Sequence, residues 1–125
     1  FQNKTIGHLG LSQLQNIYRI SFSGEACGIP TFHYYFGWNG SKLLTLPEKM
    51  NVADADVYYH SEEFLFPSEK GGKPDMIIKK TEEAELIEET DHVYDMLNEE
   101  EYYKWNGEKA TFINKSKARK TKKKL

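Results

Sequence analysis

The most reactive side-chain types in this 125-residue chain are a single cysteine and four histidines. Cys27 and His33 lie six positions apart, close enough in sequence for a thiol and a base to meet. Nucleophilic catalysis also needs a third group that orients the base, and the sequence does not mark one. The favoured interpretation of Cys27 is therefore a small buried apolar side chain, with no second cysteine for an internal disulfide.

The histidines do not have the spacing of a metal site. No two of them are two or four positions apart, and only one cysteine could join them. Zinc sites combine several histidine, cysteine or carboxylate ligands, often at such short spacings. We therefore expect no metal and no cofactor, and we interpret the histidines as strand and turn residues: His8, His33, His60 and His92.

Glutamates are concentrated at residues 82–89 and 99–101. A glycosidase needs two carboxyl groups at a defined separation in a cleft, one of them with a raised pKa. Consecutive glutamates are normally solvated, so we expect an exposed acidic face. The sequence predicts that the protein is not an enzyme, and an enzyme with an unrecognised pocket is the most distant alternative.

Charge is strongly segregated along the chain, although the formal net charge is only −2. It is +2 over residues 1–47, −12 over residues 48–108 and +8 over residues 109–125. This pattern predicts one β-rich domain at residues 1–114 and a disordered, lysine-rich tail at residues 115–125. Binding of nucleic acid or another polyanion through the tail is the alternative function. Nucleic acid is disfavoured because the rest of the chain has no basic stripe.

Two segments, residues 35–42 and 102–109, have nearly the same sequence, with Asn-Gly after a tryptophan. Asn-Gly between aromatic runs is a strong β-hairpin signal, and a two-residue type I′ turn needs positive φ at both central residues. Such a turn places Trp38 opposite Ser41. In the second hairpin it places Lys104 opposite Lys109, a like-charge pair that requires both side chains to face water.

The rest of the chain also has the pattern of a mainly β protein. Tyr18, Ile20 and Phe22 alternate with polar residues, which indicates a half-buried strand. Further strands are expected at residues 5–11, 31–38, 41–46, 57–66 and 76–81.

Residues 82–101 are ambiguous. Their apolar positions fit one face of a helix, whereas two strands joined by a turn at residues 90–92 would continue a meander, and strands are favoured. The expected fold is a set of antiparallel hairpins arranged as a propeller blade, a small sandwich or a barrel.

Aromatic residues often occur as adjacent pairs, and adjacent strand residues point to opposite faces of a sheet. Half of each pair therefore lies outside the shared core, where it either packs against a second layer or forms a recognition surface. The candidate binding surface predicted from the sequence consists of five residues: Tyr35, Trp38, Tyr59, Tyr103 and Trp105.

The Trp-Asn-Gly corners resemble the strand-turn-strand units of bacterial propeller-type repeat proteins. Residues 71–78 also resemble the FG-GAP and VCBS repeat motif, in which an acidic calcium loop enters an apolar strand. Aligned on Gly72, the loop has Pro67 and Gly71 at two ligand positions, so we expect a structural turn rather than a calcium site. At roughly 40 to 50 residues per blade, the chain is either a fragment of a longer array or a smaller fold with the same corner.

The resemblance implies a non-catalytic interaction or structural module that is secreted or belongs to a bacterial cell envelope. Its expected partner is an unidentified protein or glycan. No apolar run reaches about 18 residues, so no membrane span is expected.

Overall fold

The computed structural model of the protein describes residues 2–5, 7, 9–23, 29–55 and 57–123. These residues form β-strands and no helix, which confirms the mainly β prediction. No helix of the length and apolar character needed to cross a membrane occurs in this part of the chain. The strands are β1 (Gln2–Thr5), β2 (Asn16–Phe22), β3 (Thr31–Trp38), β4 (Leu43–Thr45), β5 (Lys49–Asp54), β6 (Tyr58–Leu65), β7 (Met76–Glu88), β8 (Val93–Trp105) and β9 (Ala110–Lys123).

All the strand pairs are antiparallel, in the order β1-β2-β3-β5-β6-β7-β8-β9, with β4 also paired to β3. Strand β4 pairs with the end of β3 and β5 pairs with its beginning, so β4 and β5 are two parts of one interrupted return strand. The interruption contains Pro47, which has no backbone N–H for a strand ladder. The sheet is therefore an up-and-down meander.

Both Asn-Gly corners reverse the chain, but the predicted turn type and register are wrong. Positive φ occurs at Gly40 (95°) and Gly107 (94°) and not at the asparagines. The Asn39 Oδ1 accepts hydrogen bonds from the backbone N–H groups of Ser41 and Lys42, both at 2.8 Å, so the side chain shapes the loop. The loop is four residues long and Trp38 pairs with Leu43.

The second corner has the same form, with both bonds to the Asn106 Oδ1 at 2.9 Å. Lys104 therefore pairs with Thr111 rather than with Lys109. The four-residue loop removes the like-charge pair that the shorter turn would have created.

The ambiguous residues 82–101 are strands, as favoured, and the helix alternative is wrong. Strand β7 ends at Glu88 and β8 begins at Val93, with a backbone hydrogen bond of 3.4 Å from His92 to Glu89 in the turn. Opposite charges face each other across this pair, because Lys79 pairs with Glu101 and Lys80 with Glu100. Such cross-strand pairs stabilise a sheet, and they favour two paired strands over the helix that the spacing of the apolar residues also allowed.

The prediction of a disordered tail differs from the structure at residues 115–123, which continue β9 along β8. The reason is electrostatic complementarity. The Lys115 Nζ lies 2.7 Å from the Glu99 Oε1, and the Arg119 Nη1 lies 2.5 Å from the Asp95 Oδ2. The acidic strand β8 therefore pairs with the basic strand β9 in a defined register, and the predicted domain boundary at residue 114 falls inside β9.

The main core lies on the inner side of the sheet, at the end that carries the two Asn-Gly corners. Its buried members come from six strands or their flanks and from the loop before β2: Leu11, Leu14, Ile17, Tyr35, Leu44, Leu46, Phe66, Ile77 and Trp105. A smaller cluster, Ala84, Tyr94 and Met96, is buried on the outer side of β7 and β8. The long ribbon β7–β9 therefore extends beyond the main core.

The loop at residues 9–15 joins the two corners. The Trp105 Nε1–H donates to the Ser12 carbonyl at 2.8 Å, and the Gln15 N–H donates to the Trp38 carbonyl at 2.8 Å. Leu14 lies so close to Gly37 that a Cβ there would be 2.6 Å from its Cδ1. The predicted strand at residues 5–11 is wrong in its position. Residues 9 and 10 form a turn instead, and Leu11 and Leu14 pack in the core.

Candidate binding face

The outward aromatic residues are concentrated on one side of β2–β5. Cross-strand partners share a face of the sheet, and the register pairs Tyr18 with Phe36, Ile20 with Tyr34, and Phe22 with Phe32. Trp38 pairs with Leu43, and Phe32 also pairs with Met50. We call this surface the aromatic face: Tyr18, Ile20, Phe22, Phe32, Tyr34, Phe36, Trp38, Leu43 and Met50.

The aromatic face is uncharged, and four of its nine residues are exposed while the others are half-buried. Leu43 is 55% exposed, Phe22 48% and Phe32 41%. The rings of Phe22 and Tyr34 meet edge to face with centroids 5.9 Å apart, a favourable arrangement for aromatic pairs. No residue of the face carries a charge. Such a continuous apolar surface is typical of a contact site rather than of a solvated sheet.

Strand β2 departs from the usual polarity of a half-buried sheet at residues 18–22, although Ile17 at its beginning is fully buried on the inner side. The side of β2 that carries Arg19 and Ser21 faces the interior, and Ser21 is only 6% exposed. The apolar side faces outward. The sequence marked the alternation of Tyr18, Ile20 and Phe22 correctly but implied that this side would be the buried one, which is wrong.

Two of the five predicted surface residues lie in the core. Tyr35 is 5% exposed and Trp105 is 1% exposed, so their assignment to a binding surface is wrong. The ring of Tyr35 packs edge to face on Phe64, with centroids 5.1 Å apart. Trp105 is fixed by its hydrogen bond to Ser12. Each corner has a tryptophan, but the two tryptophans lie on opposite sides of the sheet.

The other three predicted residues lie apart from one another. Trp38 belongs to the aromatic face. Tyr59 is half-buried on the outer side of β6, where its hydroxyl donates to Glu82 and burial together with that bond raises its pKa to about 12. Tyr103 lies on the inner side, packs against Phe112 and donates to the Glu101 Oε2 at 2.7 Å. The structure therefore does not assemble the predicted five-residue surface.

Sequence reasoning missed most of the aromatic face. The sequence placed Phe22, Phe32 and Leu43 in predicted strands, and the order of strands in a meander makes these strands neighbours. The missing information was which side of the sheet the distant core residues would cover. Adjacent aromatic residues do take opposite faces, as expected: Tyr35 is buried, while Tyr34 and Phe36 belong to the aromatic face.

The inner side of β2, β3 and β5 contains a cluster of polar groups. The Ser21 Oγ and the His33 Nδ1 are 2.6 Å apart, and the ammonium group of Lys49 lies 5.9 Å from the ring centres of both Tyr35 and Phe64. Burial, together with the charges of Lys49 and Arg19, lowers the pKa of His33. Burial also lowers the pKa of Lys49. This cluster therefore favours a neutral imidazole at His33.

His60 has the opposite environment on the inner side of β6. Its Nε2 lies 2.7 Å from the Glu62 Oε2 and its Nδ1 lies 3.0 Å from the Glu83 Oε2. Burial by itself would lower the pKa of His60, but the hydrogen bonds to the two carboxylates outweigh it and raise the pKa. An ionised carboxylate only accepts hydrogen bonds, so both contacts are satisfied when His60 has a proton on each ring nitrogen.

No group of three or more histidine, cysteine, aspartate or glutamate side chains suited to a metal ion occurs among the described residues. Cys27 and His8 lie outside the described residues, so the thiol candidate has no structural position. In the loop that resembles a calcium motif, Glu69 Oε1 accepts the backbone N–H of Phe66 at 2.8 Å. That carboxylate therefore caps the turn.

The outer side of β6–β9 has open depressions rather than an enclosed cavity. One, of about 480 Å³, crosses β7, β8 and β9, and another, of about 520 Å³, crosses β6, β7 and β8. Lys80, Thr81 and Asn98 line both.

Comparison with models of protein families, with curated proteins and with solved structures found no match.

Proposed function

We propose that this protein is a non-catalytic interaction module that binds a partner protein through the aromatic face. The observation that carries the proposal is the unusual polarity of β2 at residues 18–22. Large apolar side chains on β2 face solvent while Arg19 and Ser21 face inward, and the Arg19 Nε is buried without a hydrogen-bond partner in the described part of the chain. In an isolated domain, both the exposed apolar side chains and the buried polar atom without a partner cost free energy. A bound partner covers the apolar side chains and removes the first of these costs.

The composition of the face favours a protein over a glycan or a polyanion. Only Tyr18, Tyr34 and Trp38 supply hydrogen-bonding side chains, and the face has no amide or carboxylate group, whereas a sugar needs several directional polar contacts around its hydroxyl groups. A polyanion needs cationic groups, and the face has none. Aromatic and aliphatic anchors without charge are typical of the buried centre of a protein–protein interface.

The alternative of polyanion binding through the basic C-terminal segment is less favoured. Lys115 and Arg119 are paired with the carboxylates of Glu99 and Asp95, which reduces the free positive charge of β9. Location outside the cell or in the cell envelope depends only on the resemblance to repeat proteins and stays a prediction.

The test is a pair of polar substitutions on the aromatic face. The Phe22→Ser/Phe32→Ser double variant changes two side chains that are already 48% and 41% exposed, so we expect the fold to be retained, and far-UV circular dichroism checks this. The matched control is Ile87→Ser/Val57→Ser, at positions 58% and 50% exposed that lie outside the aromatic face and outside β9. The unchanged protein and both variants are immobilised on a resin and incubated with an extract of the source cells. Each protein that the resin retains is then purified, and its affinity for the unchanged protein and for each variant is measured by titration.

We expect at least one protein to bind the unchanged chain and the control but to bind the Phe22/Phe32 variant at least about tenfold more weakly. Loss of self-association in sedimentation experiments by that variant alone would identify a second copy as the partner. The proposal fails if the variant and the control bind the same proteins with the same affinity and also self-associate to the same extent. It also fails if the substitutions alter retention on a polysaccharide instead.

A further inference from the structure

A second interaction surface lies at the opposite end of the strand order, on the free edge of β9. Among the described residues β9 pairs only with β8, so one of its edges presents unpaired backbone N–H and C=O groups. It is 14 residues long, and every residue from 111 to 121 is exposed. Edge strands of native proteins are usually short or covered, because a long free edge is a template for another strand.

The charges of β9 determine which kind of strand can pair there. Lys115 and Arg119 have carboxylate partners on β8, whereas Lys117 and Lys120 have no carboxylate within ion-pair distance among the described residues. The free edge is therefore positively charged. Two copies joined through β9 would place basic residues next to one another, and like charges across strands are destabilising.

Strand β8 shows the chemistry of a suitable neighbour. Glu99 and Glu101 are two positions apart, so they share one face of β8, and they pair with Lys117 and Lys115. A strand on the other edge of β9 would lie about 4.8 Å away and would meet the same row of basic side chains. Carboxylates at alternate positions of that strand would repeat on the free edge the charge arrangement that β8 already provides.

We propose that β9 accepts an acidic, extended segment of a partner protein as an additional antiparallel strand. Main-chain hydrogen bonds to the free edge supply the affinity, and alternating carboxylates that face Lys117 and Arg119 supply the selectivity. The surface is separate from the aromatic face, which lies on β2–β5, so either can bind without the other.

The probe is a fluorescent peptide of sequence acetyl-Thr-Glu-Val-Glu-Val-Glu-Thr-amide, titrated with the full chain at low salt and followed by anisotropy. The Lys117→Glu/Arg119→Glu variant, which changes two positions on the same face of β9, should bind it at least about tenfold more weakly, since two favourable charge contacts become repulsive. The matched control is Lys42→Glu/Lys70→Glu, which makes the same charge change at two exposed turn lysines and should bind within about twofold of the unchanged chain. Far-UV circular dichroism checks that each variant keeps its strands.

A second peptide separates strand pairing from simple charge attraction. It has the same sequence and charge but is N-methylated at every residue, so it cannot donate main-chain hydrogen bonds. We expect its binding to the unchanged chain to be lost. Equal binding of the two peptides would overturn the proposal in favour of a general polyanion surface, an outcome that retention on heparin would confirm. Absence of binding by the first peptide up to millimolar concentration would also overturn it. The methylated-peptide comparison uses only the unchanged chain and therefore remains decisive if a variant misfolds.

Discussion

The unequal exposure of the two faces of β3 predicts a large difference between two aromatic residues three positions apart. Tyr35 and Phe32 lie on opposite faces of β3, and they are 5% and 41% exposed. Substitution of each by alanine removes a ring of similar size. The free energy of unfolding should therefore fall much more for Tyr35→Ala than for Phe32→Ala.

The magnitudes follow from burial. Removal of the Tyr35 ring leaves a cavity against Phe64 and Phe66, whose centroids lie 5.1 and 6.4 Å away, and a buried aromatic residue replaced by alanine costs about 4 kcal/mol. Phe32 already has a large exposed fraction, and solvent can occupy the vacated space. Partial loss of the roughly 1.5–3 kcal/mol gained by burying such a side chain gives about 1 kcal/mol.

The assay is equilibrium unfolding in urea, followed by tryptophan fluorescence and circular dichroism. With a slope of about 2 kcal/mol per molar urea, the midpoint should shift by about 2 M for Tyr35→Ala and about 0.5 M for Phe32→Ala. Phe22→Ala, at 48% exposure, should behave like Phe32→Ala. Equal shifts for Tyr35 and Phe32, or a larger shift for Phe32, would show that the apolar side of β2–β3 is covered in the free chain, and the reasoning for the binding face would be refuted.

Three further predictions concern stability. Trp105→Phe should lower the free energy of unfolding by about 2 kcal/mol, because it removes the hydrogen bond to Ser12 and leaves a space in the core; an unchanged urea midpoint would contradict this. Gly107→Ala should cost about 1–2 kcal/mol for its positive φ of 94°, because the atoms nearest to the added Cβ, at 3.0 Å, belong to the end of the exposed Gln13 side chain and can move away. The control Gly71→Ala, with φ 88° and a nearest contact of 3.8 Å, should cost a similar amount, and a much larger cost at Gly107 would contradict this. Stability should be greatest near pH 6.5. Because folding raises the pKa of His60, this residue contributes stability that is complete below its unfolded pKa and is lost as the pH rises through its folded pKa. Because folding lowers the pKa of His33, that residue contributes stability that is lost as the pH falls below 6.5. In thermal melts from pH 5 to 9, His60→Gln should flatten only the alkaline side and His33→Gln only the acidic side, and a profile unchanged by both would contradict the assignment.

Local features of the sequence predicted most of the strands. The two Asn-Gly corners reverse the chain where expected, because glycine supplies the positive φ that the loop requires. The strands at residues 82–101 follow from continuity with the second hairpin. The register was missed by two residues, because the side chains of Asn39 and Asn106 bind the loop backbone and lengthen the turn.

Longer-range pairing decided the state of the C-terminal residues. In isolation a run of lysines has no apolar surface to bury, which is why composition favours disorder at residues 115–125. The carboxylates of Glu99 and Asp95 lie on β8 at positions that pair with this run. Only the sheet, which places β8 beside β9, converts a general attraction of opposite charges into specific ion pairs.

The sequence by itself determined that the protein is mainly β with two matching hairpin corners and that adjacent aromatic residues take opposite faces, because backbone stereochemistry and the two-residue period of a strand act locally. Only the tertiary structure decided which face is the interior. Leu11 and Leu14 from the loop before β2, together with Phe66 and Trp105 from distant parts of the chain, pack on the side that carries Arg19 and Tyr35. Burial depends on what the rest of the chain covers, and β2 therefore directs Ile17 into the core but Tyr18, Ile20 and Phe22 outward.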